Sequence, residues 1–163
     1  MRGMRAFHVL IFFLCVIGTV VLHVLAGSAQ AVVISQDAAV VLSEFFVAVT
    51  FNNATPVTVN NACSEWPQHV VCNALSQSIK TLNFTSQQLS GTLPTSLSRF
   101  TGLTYFNVAD NSIGGTLPPE YSPWGASVYY VSASINALTG SLPPEYHNWT
   151  LLNGFDVTSN QLS

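Results

Sequence analysis

The chain has 163 residues, of which only 7% carry a charge, and its formal net charge is −3. When the two arginines near the amino terminus are set aside, two basic side chains remain against seven acidic ones, a net charge of −5. A surface this poor in basic residues disfavours binding to nucleic acid and electrostatic attraction to anionic lipid.

An export signal is predicted over residues 1–31. Two arginines supply a short positive region, an uncharged apolar run follows from about Phe7 to Leu25, and Ala29-Gln30-Ala31 is a small-residue cleavage site. The mature chain would then begin near Val32. The alternative is an uncleaved signal anchor, since the apolar run is nearly long enough to cross a hydrocarbon core of ~30 Å. Both interpretations place the rest of the chain in the secretory pathway, outside the cell or at its surface.

Residues 32–78 are predicted to form a cap. Asp37 to about Phe51 has the apolar spacing of one amphipathic helix, with Asp37 as its N-cap. The segment from Cys63 to Cys72 alternates apolar and polar residues, a pattern that fits a covering hairpin. A cap of this kind would cover the apolar interior of the first unit of a stack.

Cys63 and Cys72 are predicted to form a disulfide, because the third cysteine lies in the export signal and an even pair remains in an oxidising compartment. A bond that closes so short a loop stabilises by ~2.5–3 kcal/mol on the chain-entropy estimate. The alternatives are two free buried thiols and a metal site. Two cysteines without clustered histidines fall short of the ligands that zinc needs, so no metal or cofactor is expected.

Three sequons are candidates for N-glycosylation in an exported chain: Asn53-Ala54-Thr55, Asn83-Phe84-Thr85 and Asn148-Trp149-Thr150. The compartment permits the modification at each of them. The triplet also arises by chance in a chain rich in asparagine and threonine, so the sequence alone does not establish occupancy.

The second half of the chain, residues 79–163, repeats itself. Gly-Thr-Leu-Pro at Gly91 returns 24 residues later at Gly115, and Gly-Ser-Leu-Pro follows 25 residues after that at Gly140. A fixed period in this range indicates stacked structural units rather than one globular core. The functional question is therefore what an extended surface binds.

Each repeat fits the pattern L-x-x-L-x-L-x-x-N-x-L, which occurs four times. Its Leu-x-Leu centre has the two-residue period of a short strand, and neighbouring units are expected to pair these strands into a parallel sheet. The asparagine is expected to turn inward and to bond backbone groups that would otherwise be buried unpaired. The positions of this structural ladder are Gln87, Asn111, Asn136 and Asn160.

The other half of each repeat carries the phrase Leu-Pro-Pro-Glu-Tyr-x-x-Trp, at Leu117–Trp124 and again at Leu142–Trp149. Paired prolines favour extended backbone or short 3₁₀ turns. The aromatic residues could form a row for carbohydrate stacking or fill the core. Because Leu97 and Phe100 stand at the same positions in the first repeat, core packing is favoured.

The pattern L-x-G-x-L-P followed by L-x-x-L-x-x-L-x-V/L-x-x-N-x-L resembles the plant-type leucine-rich repeats. The helix followed by Cys63, Trp66 and Cys72 resembles the N-terminal cap that precedes such repeats. The Leu-Pro-Pro-Glu-Tyr-x-x-Trp phrase is most similar to the promastigote surface antigens and surface-antigen-like proteins of kinetoplastid protozoa. The resemblance covers about residues 37–163. It implies a leucine-rich-repeat solenoid of about four repeats, each with a β-strand and an irregular or 3₁₀ convex side, behind a helical disulfide cap.

The resemblance also implies a function. Members of the family are typically anchored by a glycolipid or secreted, and they act in surface recognition, adhesion and protection. The expected protein is an exported recognition or adhesion protein that binds an extracellular protein or glycan through the concave face of its repeats. Outward strand positions and one flanking tyrosine are the candidate contacts: Tyr105, Asn107, Tyr129, Tyr130, Ser132 and Asp156.

Two alternatives stay open. The first is a secreted inhibitor-type repeat protein that blocks an enzyme with its concave face. The second is a truncated, non-functional copy of a surface antigen, because the chain stops at Ser163, where Gly-x-Leu-Pro should follow, and carries no anchor signal. Membrane association would come only through an uncleaved signal anchor or a missing C-terminal anchor.

No enzyme is expected. His69 and His147 lack the spacing of a metal site, and the chain contains no G-x-S-x-G, phosphate loop or dinucleotide fingerprint. Glu120 and Glu145 recur at one repeat position and could form a carboxylate pair. Ser96 holds the same position in the first repeat, so a solvated edge is the better interpretation.

Overall fold

The computed structural model describes residues 35–51, 63, 67–73 and 78–163. The predicted export signal, the sequon at Asn53 and the cap residue Trp66 lie outside the described residues. Within the described part of the chain, no helix is both long enough and apolar enough to cross a membrane.

One α-helix, α1 (Gln36–Ala48), precedes a series of short strands. The prolines of the second half open short 3₁₀ segments, at Thr95–Arg99, Pro119–Ala126 and Pro144–Asn148. The strands in the described residues are β1 (Val49–Phe51), β2 (Val70–Asn73), β3 (Ser78–Asn83), β4 (Leu89–Thr92), β5 (Tyr105–Asn107), β6 (Ser112–Gly114), β7 (Tyr130–Ser132), β8 (Thr139–Gly140), β9 (Gly154–Asp156) and β10 (Gln161–Leu162).

The largest sheet has five strands in the order β2-β3-β5-β7-β9. The strands β3, β5, β7 and β9 run parallel to one another, so the predicted parallel pairing of the repeat strands is confirmed. On the other side of the turns, β4 pairs in parallel with β6, and β8 pairs in parallel with β10. Two antiparallel strands close the amino-terminal end: β2 lies against β3, and β1 lies against β4.

The helix of the cap differs from its prediction at both ends. Its N-cap is Ser35, whose hydroxyl oxygen accepts a hydrogen bond from the Ala38 N–H at 3.2 Å, and Asp37 lies in the first turn. The helix also ends at Ala48 rather than at Phe51, because residues 49–51 pair with β4 as a strand. The helical spacing of the apolar residues continued past the true end, and pairing with a neighbouring element overrode it.

The cap covers the first unit of the stack through aromatic packing. The ring centroids of Phe45 and Phe84 lie 5.4 Å apart, and those of Phe46 and Phe84 lie 5.6 Å apart. The predicted disulfide between Cys63 and Cys72 is confirmed, with 5.8 Å between the two Cα atoms. A hairpin was expected from Cys63 to Cys72; residues 64–66 lie outside the described residues, and the described strand of this segment, β2, pairs with β3 of the first repeat.

Inward strand residues form continuous columns through the core. Leu82, Phe106 and Val131 stand in register on β3, β5 and β7, and none is more than 2% exposed. Phe155 holds the same register on β9, the outermost strand of the sheet, and is 37% exposed. An inward residue is therefore buried where a coil lies on each side of it, and partly exposed on the outermost strand.

Asparagine side chains bond the backbone of successive turns. Oδ1 of Asn111 accepts two backbone N–H groups of the preceding turn, and its Nδ2 donates to three carbonyls. Asn136 and Asn160 repeat most of this arrangement one and two turns later. Gln87, at the first position, donates instead to the carbonyl oxygens of Thr85 and Ser86. The partners of Asn111 are the N–H groups of Gln87 and Leu89, at 3.0 and 2.9 Å, and the carbonyl oxygens of Phe84, Val108 and Ala109, at 2.8, 2.8 and 3.0 Å.

The aromatic residues of the two Leu-Pro-Pro-Glu-Tyr-x-x-Trp phrases pack into the core, as predicted from their positions, with Tyr146 partly buried. Tyr121 and Trp124 are 1% and 0% exposed. The Tyr121 hydroxyl donates to the Pro94 carbonyl at 2.9 Å, and the Trp124 indole N–H donates to the Leu97 carbonyl at 3.0 Å. Burial raises the pKa of Tyr121 well above its usual value, so this hydroxyl stays a neutral donor.

The recurring glycine of Gly-x-Leu-Pro has a backbone cause. Gly91, Gly115 and Gly140 adopt φ values of 106°, 78° and 80°, a region that disfavours residues with a Cβ atom. At Gly91 a Cβ would also collide with the carbonyl oxygen of Ala48 in the cap helix. Glycine at this position therefore lets the cap and the first unit approach each other closely.

Candidate functional site

The outward side of the five-stranded sheet, called here the sheet face, corresponds to the predicted concave surface. Because side chains alternate along a strand, every second strand residue points outward, and the parallel register lines these residues up in rows. One row contains Thr81, Tyr105, Tyr130 and Gly154. The next contains Asn83, Asn107, Ser132 and Asp156.

Two tyrosines form the aromatic centre of the sheet face. The rings of Tyr105 and Tyr130 stack with centroids 4.7 Å apart and an angle of 13° between their planes. The spacing matches the separation of neighbouring strands, so the sheet itself sets the stack. Gly154 continues the row, and a Cβ atom there would lie 2.5 Å from Cδ2 of Tyr130. The ring of Tyr130 therefore leans over β9, where the missing side chain leaves room.

Polar side chains at the strand ends are held by their own backbone. Oδ1 of Asn107 accepts the Ala109 N–H at 2.9 Å, and Oδ1 of Asp156 accepts the Thr158 N–H at 3.0 Å. Asn83 makes the corresponding bond to the Thr85 N–H at 3.4 Å. These two-residue side-chain turns fix the rotamers of the row. The sheet face consequently presents polar groups that need little further ordering when a partner binds.

Asp156 is the acidic group of this row. Besides the Thr158 N–H, its Oδ1 accepts the Thr158 hydroxyl at 2.7 Å. The hydrogen bonds from the Thr158 backbone and side chain lower the pKa of Asp156, and a hydrogen bond from Ser134 adds to the effect. The carboxylate is therefore ionised at neutral pH and held in one place.

Two of the predicted contact residues differ from the others in exposure. Tyr129 lies immediately before β7 and is 55% exposed, so it forms an open rim beside the stacked tyrosines. Ser132 is only 2% exposed, which corrects its assignment as a contact residue. It points outward, but its short side chain stands between the longer Asn107 and Asp156 of the neighbouring strands.

Three features of the site were not predicted from the sequence. They are the space above Gly154 that the Tyr130 ring occupies, the contact between the Ser132 and Ser134 hydroxyls, and the side-chain turns at the strand ends. The turns had a signal in the chain, since Asn, Asn, Ser and Asp follow one another at a single repeat position, and such residues bond the backbone two positions on. Gly154 had no comparable signal, because the effect of a missing side chain depends on its neighbour across the sheet.

The two glycosylation candidates among the described residues, Asn83 and Asn148, lie on different surfaces of the protein. Asn83 belongs to the sheet face, and its Oδ1 accepts the Thr85 hydroxyl at 2.8 Å. Asn148 is exposed in the last 3₁₀ segment, where its Nδ2 donates to the Ser122 hydroxyl at 3.0 Å. Among the described residues there is no group of three or more side chains suited to holding a metal ion.

No protein-family model matches the chain, and a search of curated proteins finds no match. Solved structures do match. A chain of the BIR3–SERK2 complex from Arabidopsis thaliana superposes with a TM-score of 0.64 and 23% identity, covering 75% of this chain and 68% of that one. The fold is that of a leucine-rich repeat.

Other leucine-rich-repeat ectodomains from the same plant agree. The BIR2 ectodomain matches with a TM-score of 0.65 and 23% identity, over 79% of this chain and 70% of that one. The ectodomain of the receptor kinase HAESA, in complex with an IDA peptide hormone ligand, matches with a TM-score of 0.62 and 23% identity. That match covers 77% of this chain but only 21% of the HAESA chain. These superpositions establish a shared leucine-rich-repeat fold.

Proposed function

We propose that this protein is an exported recognition or adhesion protein that binds an extracellular protein or glycan through the sheet face. The observation that carries the proposal is the stacked pair of Tyr105 and Tyr130 beside a row of polar side chains already held by hydrogen bonds. Tyrosine offers a large amphipathic contact area at low entropic cost, and fixed polar groups lower the cost of binding further.

The structural neighbours support a protein partner. HAESA was solved with the peptide hormone IDA and the co-receptor SERK1, and BIR3 was solved in complex with SERK2. Each of these structures joins a leucine-rich-repeat ectodomain to a peptide or a second protein. A comparable role for this chain is an analogy of fold. Which partner it binds would depend on the residues of its own sheet face.

The finer features of the proposal rest on the sequence. Residues 1–31 act as an export signal or a signal anchor, 32–78 form the cap, and 79–163 hold four repeats, each of which contributes one of the parallel strands β3, β5, β7 and β9. The protein works outside the cell or at its surface without a cofactor, as a member of the surface-antigen type that its Leu-Pro-Pro-Glu-Tyr-x-x-Trp phrase resembles.

Glycans on Asn148 and on Asn83 would affect access to the sheet face differently. A glycan on Asn148 would project from an exposed 3₁₀ segment away from the sheet face and leave it open. A glycan on Asn83 would stand in the same row as Asn107 and Asp156 and would cover part of the proposed contact area. Asn148 is thus the site whose occupancy is compatible with binding through the sheet face.

The test is a screen of the secreted chain against arrays of extracellular peptides and glycans, followed by mutation. Replacing Tyr105 and Tyr130 together by alanine should lower the affinity for a genuine partner at least tenfold, since central aromatic residues dominate binding energies at interfaces. The matched control replaces the exposed Glu120 and Glu145 by alanine and should change affinity less than twofold. Equal losses in the two double variants, or no loss in the tyrosine variant, would reject the sheet face as the binding surface.

A further inference from the structure

The charges around the sheet face narrow the kind of partner. The basic side chains among the described residues are Lys80 and Arg99, and both have partners within the chain. Nζ of Lys80 donates to the Gly102 carbonyl at 3.0 Å, and Nη2 of Arg99 lies 3.5 Å from Oδ1 of Asp37. An anionic ligand would therefore meet no uncommitted cation in the described part of the molecule, whereas a cationic ligand would meet the carboxylate of Asp156.

The carboxylate of Asp156 has the capacity to bind a cation. Its Oδ1 accepts two hydrogen bonds from Thr158, which fix the group without using all of its acceptor sites. Hydrogen bonds to an ionised carboxylate from a cationic donor are short and about twice as strong as neutral ones. A guanidinium group fits this acceptor well, because it is planar and always charged.

The aromatic pair stands next to this carboxylate. Tyr130 is in register with Gly154, which precedes Asp156 by two residues on the parallel strand β9. With strands ~4.8 Å apart and a rise of ~3.3 Å per residue, the Cα atoms of Tyr130 and Asp156 are diagonal neighbours about 8 Å apart. The ring also leans toward β9 because Gly154 has no side chain. A cation held by Asp156 can therefore lie within about 6 Å of an aromatic ring, the range of a cation–π contact.

We propose that Tyr130 and Asp156, with Tyr105 stacked behind them, bind a basic side chain of a protein partner, with arginine as the best fit. This inference rests on the proposed function and narrows it from a protein or glycan to a protein that presents a guanidinium group. The carboxylate neutralises the charge, the tyrosine ring covers one face of the guanidinium, and the neighbouring side-chain turns hold both groups in place.

The experiment uses two small probes on the isotope-labelled secreted chain, followed by NMR. N-acetyl-arginine amide carries the proposed group, and N-acetyl-citrulline amide replaces the guanidinium by an uncharged group of the same shape. The arginine probe should give saturable shifts centred on residues 130 and 154–158, while the citrulline probe should bind at least tenfold more weakly. Equal binding of both probes, or shifts centred away from these residues, would overturn the proposal.

Variants separate a specific site from a general electrostatic effect. Asp156→Asn keeps the size of the side chain and should lower the affinity of the chain for the arginine probe about tenfold. Tyr130→Leu should lower this affinity by a similar factor. The matched control, Asp110→Asn, removes the same charge from an exposed carboxylate that accepts the Ser86 hydroxyl at 2.6 Å, and should weaken it less than twofold. Similar losses in the two aspartate variants would show a diffuse charge effect and reject the site.

The screen on peptide and glycan arrays distinguishes failure of this inference from failure of the proposed function. If array partners bind through Tyr105 and Tyr130 but Asp156→Asn leaves their affinity unchanged, the sheet face is a binding surface and the basic-group inference alone is wrong. If the tyrosine double variant also leaves them unchanged, both are wrong. Array partners enriched in arginine whose binding falls about tenfold in Asp156→Asn would support both.

Discussion

Replacing Asn111 by alanine is expected to destabilise the protein strongly, although this residue is polar and not completely buried. The side chain makes five hydrogen bonds to backbone groups of two successive turns. Alanine removes them all. The N–H groups of Gln87 and Leu89 and the carbonyl of Phe84 lose this partner. The Val108 carbonyl keeps the bond from Nδ2 of Asn136, and the Ala109 carbonyl keeps the bond from the Ser86 N–H. The turns between β3 and β4 and between β5 and β6 would then lose the group that joins them.

The size of the effect follows from these contacts. A typical intramolecular hydrogen bond contributes about 1 kcal/mol net, and the three donated contacts share the two hydrogens of the amide, so the upper value is roughly 4 kcal/mol. Water can reach part of this edge, and the Val108 and Ala109 carbonyls keep other donors, which lowers the expected loss to about 2–3 kcal/mol. Such a loss is a large fraction of the ~5–15 kcal/mol that stabilises a typical domain.

Equilibrium denaturation in urea, with the disulfide intact, measures the loss. Asn160→Ala, at the last turn, removes a side chain whose oxygen accepts one backbone N–H rather than two, so it should cost less than Asn111→Ala and remain measurable if that variant does not fold. Asn148→Ala is the control, because this exposed side chain bonds only Ser122 among the described contacts, and its cost should stay within about 0.5 kcal/mol. A loss below about 1 kcal/mol for Asn111→Ala, or one equal to the control, would refute the role of the ladder.

Three further predictions follow from the contacts described above. Gly91→Ala should destabilise the protein by on the order of 3 kcal/mol, because φ is positive there and the new Cβ would overlap the Ala48 carbonyl. The control is Gly102→Ala, which should cost little because its Cβ would meet the flexible end of a lysine at 3.1 Å. Thermal unfolding of the two variants measures the difference. Tyr121→Phe should cost about 1 kcal/mol in urea denaturation, because the Pro94 carbonyl loses its 2.9 Å bond from the Tyr121 hydroxyl and keeps only the longer one from the Leu97 N–H at 3.3 Å; no loss would contradict the role of the hydroxyl bond. The pKa of Asp156 is lowered in the folded state, so its contribution to stability is present above its unfolded pKa of about 3.9 and is lost as the pH falls through the folded value. Asp156→Asn should therefore reduce the loss of stability at acid pH in a profile of unfolding free energy against pH. An unchanged profile at acid pH would count against the lowered pKa.

The sequence predicted the repeated architecture because each of its signals is local to one unit. The period of about 24 residues, the alternation around each strand and the recurring asparagine and glycine all act within a coil or between adjacent coils. The parallel pairing of β3, β5, β7 and β9 and the packing of Trp124 followed from them. The disulfide was predicted from the number of cysteines and from the compartment that the predicted export signal implies.

The cap was less predictable because its structure depends on partners distant in the chain. Residues 49–51 continue a helical pattern, yet they pair with β4, some forty residues later. The N-cap moved to Ser35 because both Ser35 and Asp37 can accept a backbone N–H, and the choice depends on where the helix enters the stack. Helix periodicity does not contain that information.

The repeated pattern by itself determined which residues face inward, which strands are neighbours and which positions line the sheet face, because side-chain direction alternates along a strand and the period sets the register. Only the tertiary structure decided which of the outward residues are accessible and how they cooperate. Ser132 is covered and Tyr129 is open, although both were assigned to the same surface. The Tyr130 ring leans over β9 because Gly154 has no side chain, and that is a property of packed neighbours that no single repeat encodes.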